Sequence, residues 1–149
     1  MRVSVKAIII REEALLTLQC RCTDGTFFFV LPGGGQEYGE SLHDTLRREC
    51  LEEVGVAVEP GRLLYVRDYT DTQAKQPDKT EPQLEMMFEA RIADGPEPRG
   101  GHQPDDYQEE LVWLPVDRLS EYIFYPLTLR PLLSGGVRMD GEVYLGAVE

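Results

Sequence analysis

The segment from Leu31 to Gly55 restricts the fold of this chain more than any other. It opens with Leu31-Pro32-Gly33-Gly34-Gly35, a run with almost nothing to pack, which predicts an irregular loop belonging to neither regular element. A helix is predicted from Leu42 to about Val54. Ser41, with Asp44 three residues on, makes a capping box, and Gly55 supplies the stop. Leu42, Leu46, Cys50 and Val54 form the apolar stripe of that helix. Glu49, Glu52 and Glu53 recur at i, i+3 and i+4 and so share one face, spanning an arc of about 100°. Glu53 falls inside the edge of the apolar stripe.

Those acids sit at a cost. Glu49 and Glu53 repel across one turn by about 0.2–0.5 kcal/mol on an exposed helix. All three lie in the C-terminal half, where the macrodipole disfavours negative charge. Residues 34–56 hold six acids (Glu37, Glu40, Asp44, Glu49, Glu52 and Glu53) against Arg47 and Arg48, a local net charge of −4 out of −12 for the chain. Two readings compete: a solvated acidic face, or converging carboxylates for a hard divalent cation such as Mg²⁺ or Mn²⁺. Glu53 intruding on the apolar stripe favours the second. So does the glycine loop, where Gly34 and Gly35 allow close approach of a ligand. The loop is not a P-loop, because the Gly-Lys-Ser/Thr ending is absent.

Around this segment the chain alternates. Val3, Val5, Ala7 and Ile9 face one way, with Ser4 and Lys6 on the other side. After Arg11-Glu12-Glu13 the period resumes at Leu16, Leu18 and Cys20, which predicts two antiparallel strands joined by a polar turn. Phe27 to Val30 is a third strand after the turn signal Thr23-Asp24-Gly25. Further strands are expected at Arg62 to Tyr69 and at Gln83 to Ala93, the latter half-buried with one wet face. Thr70 to Pro82 and Asp94 to Asp106 are expected as long loops, a length often associated with function. Leu111 to Leu114 predicts a short strand, Val116 to Phe124 a helix, Pro126 to Leu133 a short helical segment, and Val143 to Val148 a closing strand.

Composition sets outer bounds. In 149 residues, 42% are hydrophobic and 28% charged, the ordinary globular range, so wholesale disorder and collagen-like structure are excluded. The chain reads as one mixed α and β domain over residues 1–149. No apolar run reaches the roughly 18 residues of a membrane span, and the N-terminal apolar stretch stops at Arg11, too soon for a secretory signal. A cytoplasmic protein is therefore expected. With 27 acidic residues against 15 basic ones, general nucleic-acid binding is disfavoured, because phosphate contacts need a basic surface. Cys20, Cys22 and Cys50 are too sparse for a disulfide scaffold or a zinc site, and buried free thiols are expected.

Taken as a whole, Gly34, five residues, Glu40, seven residues, then Arg48-Glu49-Cys50-Leu51-Glu52-Glu53-Val54-Gly55-Val56 resembles the signature box of the Nudix hydrolases. Every fixed position over residues 34–56 is filled, with Cys50 at an aliphatic-type position. The flanks Leu31-Pro32-Gly33 and Glu37-x-Gly39-Glu40 are similar as well. The resemblance implies an α/β/α sandwich with a mixed central β-sheet and the box as loop–helix–loop. It implies hydrolysis of the pyrophosphate bond in a nucleoside diphosphate linked to another group. One or more Mg²⁺ ions would be held by Glu49, Glu52 and Glu53 with the main-chain carbonyl of Gly33. Arg48 and Glu40 would orient Glu49 by hydrogen bonds, a direction-fixing role that suits an Arg–carboxylate contact, and Gly55 would be structural.

The ions would acidify a water and neutralise phosphate charge, with a carboxylate as general base. Relatives draw that base from the box or from a distant loop. Glu49 is the first candidate here, and Glu110, beside Glu109 and before Leu111-Val112-Trp113-Leu114-Pro115, is the second. Lys75, Lys79 and Arg67 are candidates to neutralise substrate phosphates, against the plainer reading of surface charge. Tyr65, Tyr69 and Phe88 are candidates to stack on a base, against the plainer reading of core residues. No ADP-ribose-type proline, coenzyme A motif or NADH-type motif is present. The leaving group therefore stays open among oxidised nucleoside triphosphates, nucleotide sugars, ADP-ribose-like compounds and dinucleoside polyphosphates. The resemblance also allows a homodimer through sheet edges or exchanged loops. The alternative is a non-catalytic nucleotide-sensing module, yet such modules usually have eroded box acids and none is eroded here. Isomerase relatives differ outside the box, and a plain calcium-binding helix leaves Arg48 and the glycine loop unexplained.

Overall fold

Aliphatic and aromatic residues at period two build most of the chain into strands, seen here in a computed structural model that describes residues 2–70, 81–99, 108–138 and 140–149, with backbone alone at 108 and 109. Most of the two expected long loops, with Lys75, Lys79 and His102, lies outside the described residues. In chain order the elements are β1 (Arg2–Ile8), β2 (Ile10–Arg11), β3 (Ala14–Arg21), β4 (Phe27–Val30), β5 (Gly33–Gly35), α1 (Leu42–Val54), β6 (Val58–Tyr69), β7 (Gln83–Ile92) and β8 (Gln108–Pro115). A 3₁₀ helix (Val116–Glu121), β9 (Phe124–Tyr125), α2 (Leu129–Leu133) and β10 (Tyr144–Ala147) follow. Among the described residues no helix is long and apolar enough to cross a membrane.

Two mixed sheets result. The first runs β10-β6-β7-β1-β5, with β1 parallel to β7 and antiparallel to β5. The second runs β2-β3-β4-β9, with β8 on the other edge of β3. One core packs Val5, Ala7, Leu16 and Phe88 against Leu46, Cys50 and Val54 of α1. The other packs Ile8, Leu15, Met87 and Leu114 against Leu119 of the 3₁₀ helix and Leu129 and Leu133 of α2. Helices thus cover both sides of the strands, an α/β/α arrangement.

The structure departs from the sequence expectations where pairing decides. The first polar turn closes a hairpin only between Ile10–Arg11 and Ala14–Leu15, with Glu12 and Glu13 at φ 52° and 63°, the left-handed pair a two-residue hairpin turn requires. β1 itself leaves β3, because both its edges are taken by β5 and β7. The glycine run is a short strand rather than an irregular loop: Gly35, Gly34 and Gly33 pair with Ser4, Val5 and Lys6. β6 begins at Val58, and register shifts between Pro60 and Tyr65 absorb Pro60 and Gly61.

The segment from Val116 is a 3₁₀ helix with a non-helical Arg118 (φ −124°), and Phe124–Tyr125 instead pairs in parallel with Phe29–Val30. The polar side of β1 and β7 is wet only in part: Ser4 and Glu85 are buried, while Glu89 is half-buried and Arg91 exposed. Central strands carry a packed layer on each face. No disulfide joins the cysteines; Cys20 and Cys50 are buried, but Cys22 is only half-buried.

Candidate active site

Local sequence sets helix α1 and the site follows from it. The Asp44 N–H donates to Ser41 Oγ (3.1 Å) and the Ser41 N–H donates to Asp44 Oδ2 (3.2 Å), the reciprocal capping box. At the other end Gly55 takes φ 69° and its N–H donates to Leu51 O (3.2 Å). The Arg99 N–H satisfies Val54 O at 2.8 Å. Thirteen helical residues then lie with Leu46, Cys50 and Val54 fully buried against the sheet. Burial pushes the Cys50 thiol up to about 12, helped by the neighbouring charge of Glu53 and then Glu49, so this cysteine is inert packing.

One guanidinium organises the acidic face. Arg48 Nε donates to Glu40 Oε2 (2.7 Å) and Nη2 to Glu40 Oε1 (3.0 Å), a two-point fork. Nη1 donates to Glu49 Oε1 (3.0 Å) and more weakly to Glu52 Oε2 (3.4 Å), and Nη2 also reaches Gly35 O (3.0 Å). Glu37 lies 3.8 Å away. The hydrogen bonds from Arg48, then the Glu37 N–H, lower the Glu40 carboxyl to about 2. Glu49 moves the other way: burial raises it, and the Arg48 hydrogen bond only partly opposes this. Arg48 is held charged, chiefly by its bond to Glu40.

At each of the three glycines of β5 a Cβ would meet a neighbouring group. The Gly33 N–H donates to Glu53 Oε1 at 2.7 Å, and Glu53 is buried, at 7% exposure. At φ 149°, a Cβ on Gly33 would strike the Val5 carbonyl oxygen and crowd Lys6 Cα at 2.8 Å. The space a Gly34 side chain would fill is taken by the Glu49 carboxylate, and that of Gly35 by the Arg2 guanidinium.

The donor set suits a hard divalent cation. Among the described residues no three acidic, histidine or cysteine side chains enclose an ion by themselves. Magnesium does not demand such a cage, because it keeps several waters and binds through one or two carboxylates plus substrate phosphate. Glu49, half-buried beside Gly34 and raised in affinity for protons, is a carboxylate that a cation would relieve.

The other sequence candidates scatter. Glu110 stands exposed on β8 opposite Gln19 rather than in a loop, and no hydrogen bond or ion pair joins it to the box acids among the described residues. Lys75 and Lys79 lie outside those residues. Arg67 is no surface charge: it is buried and ion-paired with Glu85. Tyr65 and Phe88 are core residues, Phe88 meeting His43 edge-on.

A residue the sequence reading passed over is Lys6. It packs against Gly33, its charge acts on Glu49, and it lines a pocket of about 570 Å³ with Phe27, Phe28, Arg67, Tyr69, Glu85 and Tyr125. The signal was a lysine between Val5 and Ala7, on the side of the opening strand that alternation turns away from its apolar residues.

A mixed-sheet α/β/α fold with a capped acidic helix under a glycine strand defines a class of hydrolases of pyrophosphate bonds. A sequence model of the NUDIX domain matches residues 1–133, and the chain belongs to that family. It is 31% identical to a MutT NUDIX hydrolase from Burkholderia pseudomallei, covering 78% of this chain and 84% of that one at a TM-score of 0.61. A NUDIX hydrolase from Nitrosomonas europaea shares the fold at 20% identity and a TM-score of 0.67, over 87% of this chain and 84% of that one. So does an ADP-ribose pyrophosphatase from Streptococcus suis, at 24% identity and a TM-score of 0.54, over 78% and 75%.

Proposed function

We propose that this chain cleaves the diphosphate bond of a nucleoside diphosphate joined to another group, using Mg²⁺, with Mn²⁺ as a substitute. Glu49, Glu52, Glu53 and the Gly33 carbonyl would hold the metal, and Arg48 with Glu40 would orient Glu49. The observation that carries the reading is Lys6, which links the carboxylate helix to an aromatic-walled pocket of a size suited to a small ligand. A nucleoside seated there would carry its phosphates past Lys6 toward Glu49. When bound, the ion supplies charge neutralisation on phosphate oxygens and an acidified water. The chain supplies the rest: Lys6 a compact positive charge, Gly34 and Gly35 close backbone approach, and Glu49 an acceptor for a proton. The raised proton affinity of Glu49 supports its assignment as base or shared ligand.

The test is a panel of nucleoside diphosphate derivatives with Mg²⁺ or Mn²⁺, products resolved by mass. Release of a nucleoside monophosphate is expected. Glu53→Gln keeps an acceptor for the Gly33 N–H but removes a ligand charge. Its turnover should fall by more than the about 10–100-fold that loss of an outer-shell partner costs. Wild-type turnover in that variant would refute the metal assignment. The complete set of box acids argues against a non-catalytic sensor, which nucleotide binding without metal-dependent turnover would restore.

A further inference from the structure

Across the pocket side of the first sheet, adjacent strands place Gly35, Ser4, Glu85 and Arg67 in one row, through the registers Ser4–Gly35, Ser4–Glu85 and Arg67–Glu85. Arg67 and Glu85 are 5% and 4% exposed, yet both line the pocket. Arg67 Nε donates to Glu85 Oε1 at 2.9 Å, Nη1 donates to Val148 O at 3.0 Å, and the guanidinium lies 4.3 Å over the Tyr69 ring. Arg67 Nη2 and Glu85 Oε2 have no protein partner among the described residues. Neither is fully enclosed, because the sole buried side-chain polar atom without a partner among those residues is Ser4 Oγ. One acceptor and one donor are therefore left over on two residues that line the pocket, with an unused hydroxyl in the next strand.

A buried ion pair is a poor device for stability, since an apolar pair of similar volume does as well or better. Spare valences on two pocket-lining residues give this one a different use. We propose, resting on the reading of the pocket as the nucleoside site, that Arg67 and Glu85 are its specificity determinants. They select a base that presents an imino N–H beside a carbonyl, as guanine, hypoxanthine and uracil do. A carboxylate only accepts and a guanidinium only donates, which matches that edge. The imino N–H is more acidic than an exocyclic amino group and makes the stronger charge-assisted bond to a carboxylate. Guanine adds a second N–H directed at the same carboxylate. Adenine and cytosine offer the weaker amino donor and a ring nitrogen. Phe28 and Tyr125, edge to face at 5.9 Å, supply aromatic walls against which a base packs.

The experiment is calorimetric titration of the whole, metal-free protein with GMP, IMP, UMP, AMP and CMP, so that hydrolysis plays no part. GMP is expected to bind about ten- to a hundredfold tighter than AMP, and UMP tighter than CMP, the discrimination typical of a two-point base contact. Glu85→Gln exchanges one acceptor for a donor and should bring the GMP-to-AMP ratio to within about threefold. Because a lone buried Arg67 threatens the fold, the Arg67→Met/Glu85→Met double variant removes both charges together; with melting retained, it too should lose the preference. Equal binding of GMP and AMP by the wild type, no binding of any of the five, or an intact preference in either folded variant would overturn the inference. A protein that prefers GMP but never turns over a nucleotide would strike the hydrolase reading alone. One that turns over nucleotides while binding GMP and AMP equally would strike this inference alone.

Discussion

Five N–H donors in a rigid fork let Arg48 serve Glu40, Glu49, Glu52 and the Gly35 carbonyl at once. Lysine at that position would keep the charge and lose the fork. Glu49 in turn occupies the volume that any side chain at position 34 would need. Gly34→Ala is therefore expected to leave thermal stability nearly unchanged, because the displaced atoms are the far end of a flexible side chain, while activity falls steeply. Paired measurement of melting and turnover checks this; an active Gly34→Ala enzyme would show that the Glu49 position is not critical. Glu40 yields a pH prediction. Its folded value near 2 lies below the ordinary 4.5, so the stability it contributes is present above pH 4.5 and is lost as pH falls toward 2. The stability gap between wild type and Glu40→Gln should narrow over that window in denaturant titrations. Glu49, raised by burial, works in the opposite sense: its contribution is present in acid and fades as pH rises through its folded value. Single variants at 40 keep the two apart.

Helix α1 is the element whose sequence and structure agree most closely. Its bounds at Leu42 and Val54, the Ser41–Asp44 box and the Gly55 stop are all contacts between near neighbours in the chain, so the signals that specify them are local. Ser41→Ala should cost about 1 kcal/mol, a drop of roughly 3 °C in a melting curve for a chain of this size. A loss within error would mean that tertiary packing alone holds the first turn. β5 is the contrary case. Three glycines have no side chains with which to show a period of two, and only the open edge of β1 makes them a strand. The same holds for Glu85. Its alternation with Leu84 and Met86 looks like a solvated face until β6 brings Arg67 opposite it.

At the scale of the molecule, a net charge of −12 with a third of it around α1 means that folding gathers mutually repelling groups. Divalent cations should relieve this. Under the proposed function, MgCl₂ at a hundredfold excess over its dissociation constant should stabilise the folded chain by about 2.7 kcal/mol. The rise in melting temperature should vanish in Glu53→Gln. An NaCl control of matched ionic strength separates site binding from general screening. An equal rise in both proteins would mean that only screening is at work.

The box spacing, the acidic helix face with Glu53 at its apolar edge, and the outline of most strands were legible in the residues alone, because helix periods, caps and turn signals act over a few positions. Which strand neighbours which was not. That choice turned Gly33–Gly35 into a strand, buried Ser4 and Glu85, drew Arg67 out of solvent and put Lys6 between the carboxylates and the pocket. Each of these follows from contacts between distant parts of the chain, whose formation depends on how two sheets and two cores close around one another. No local pattern records that closure.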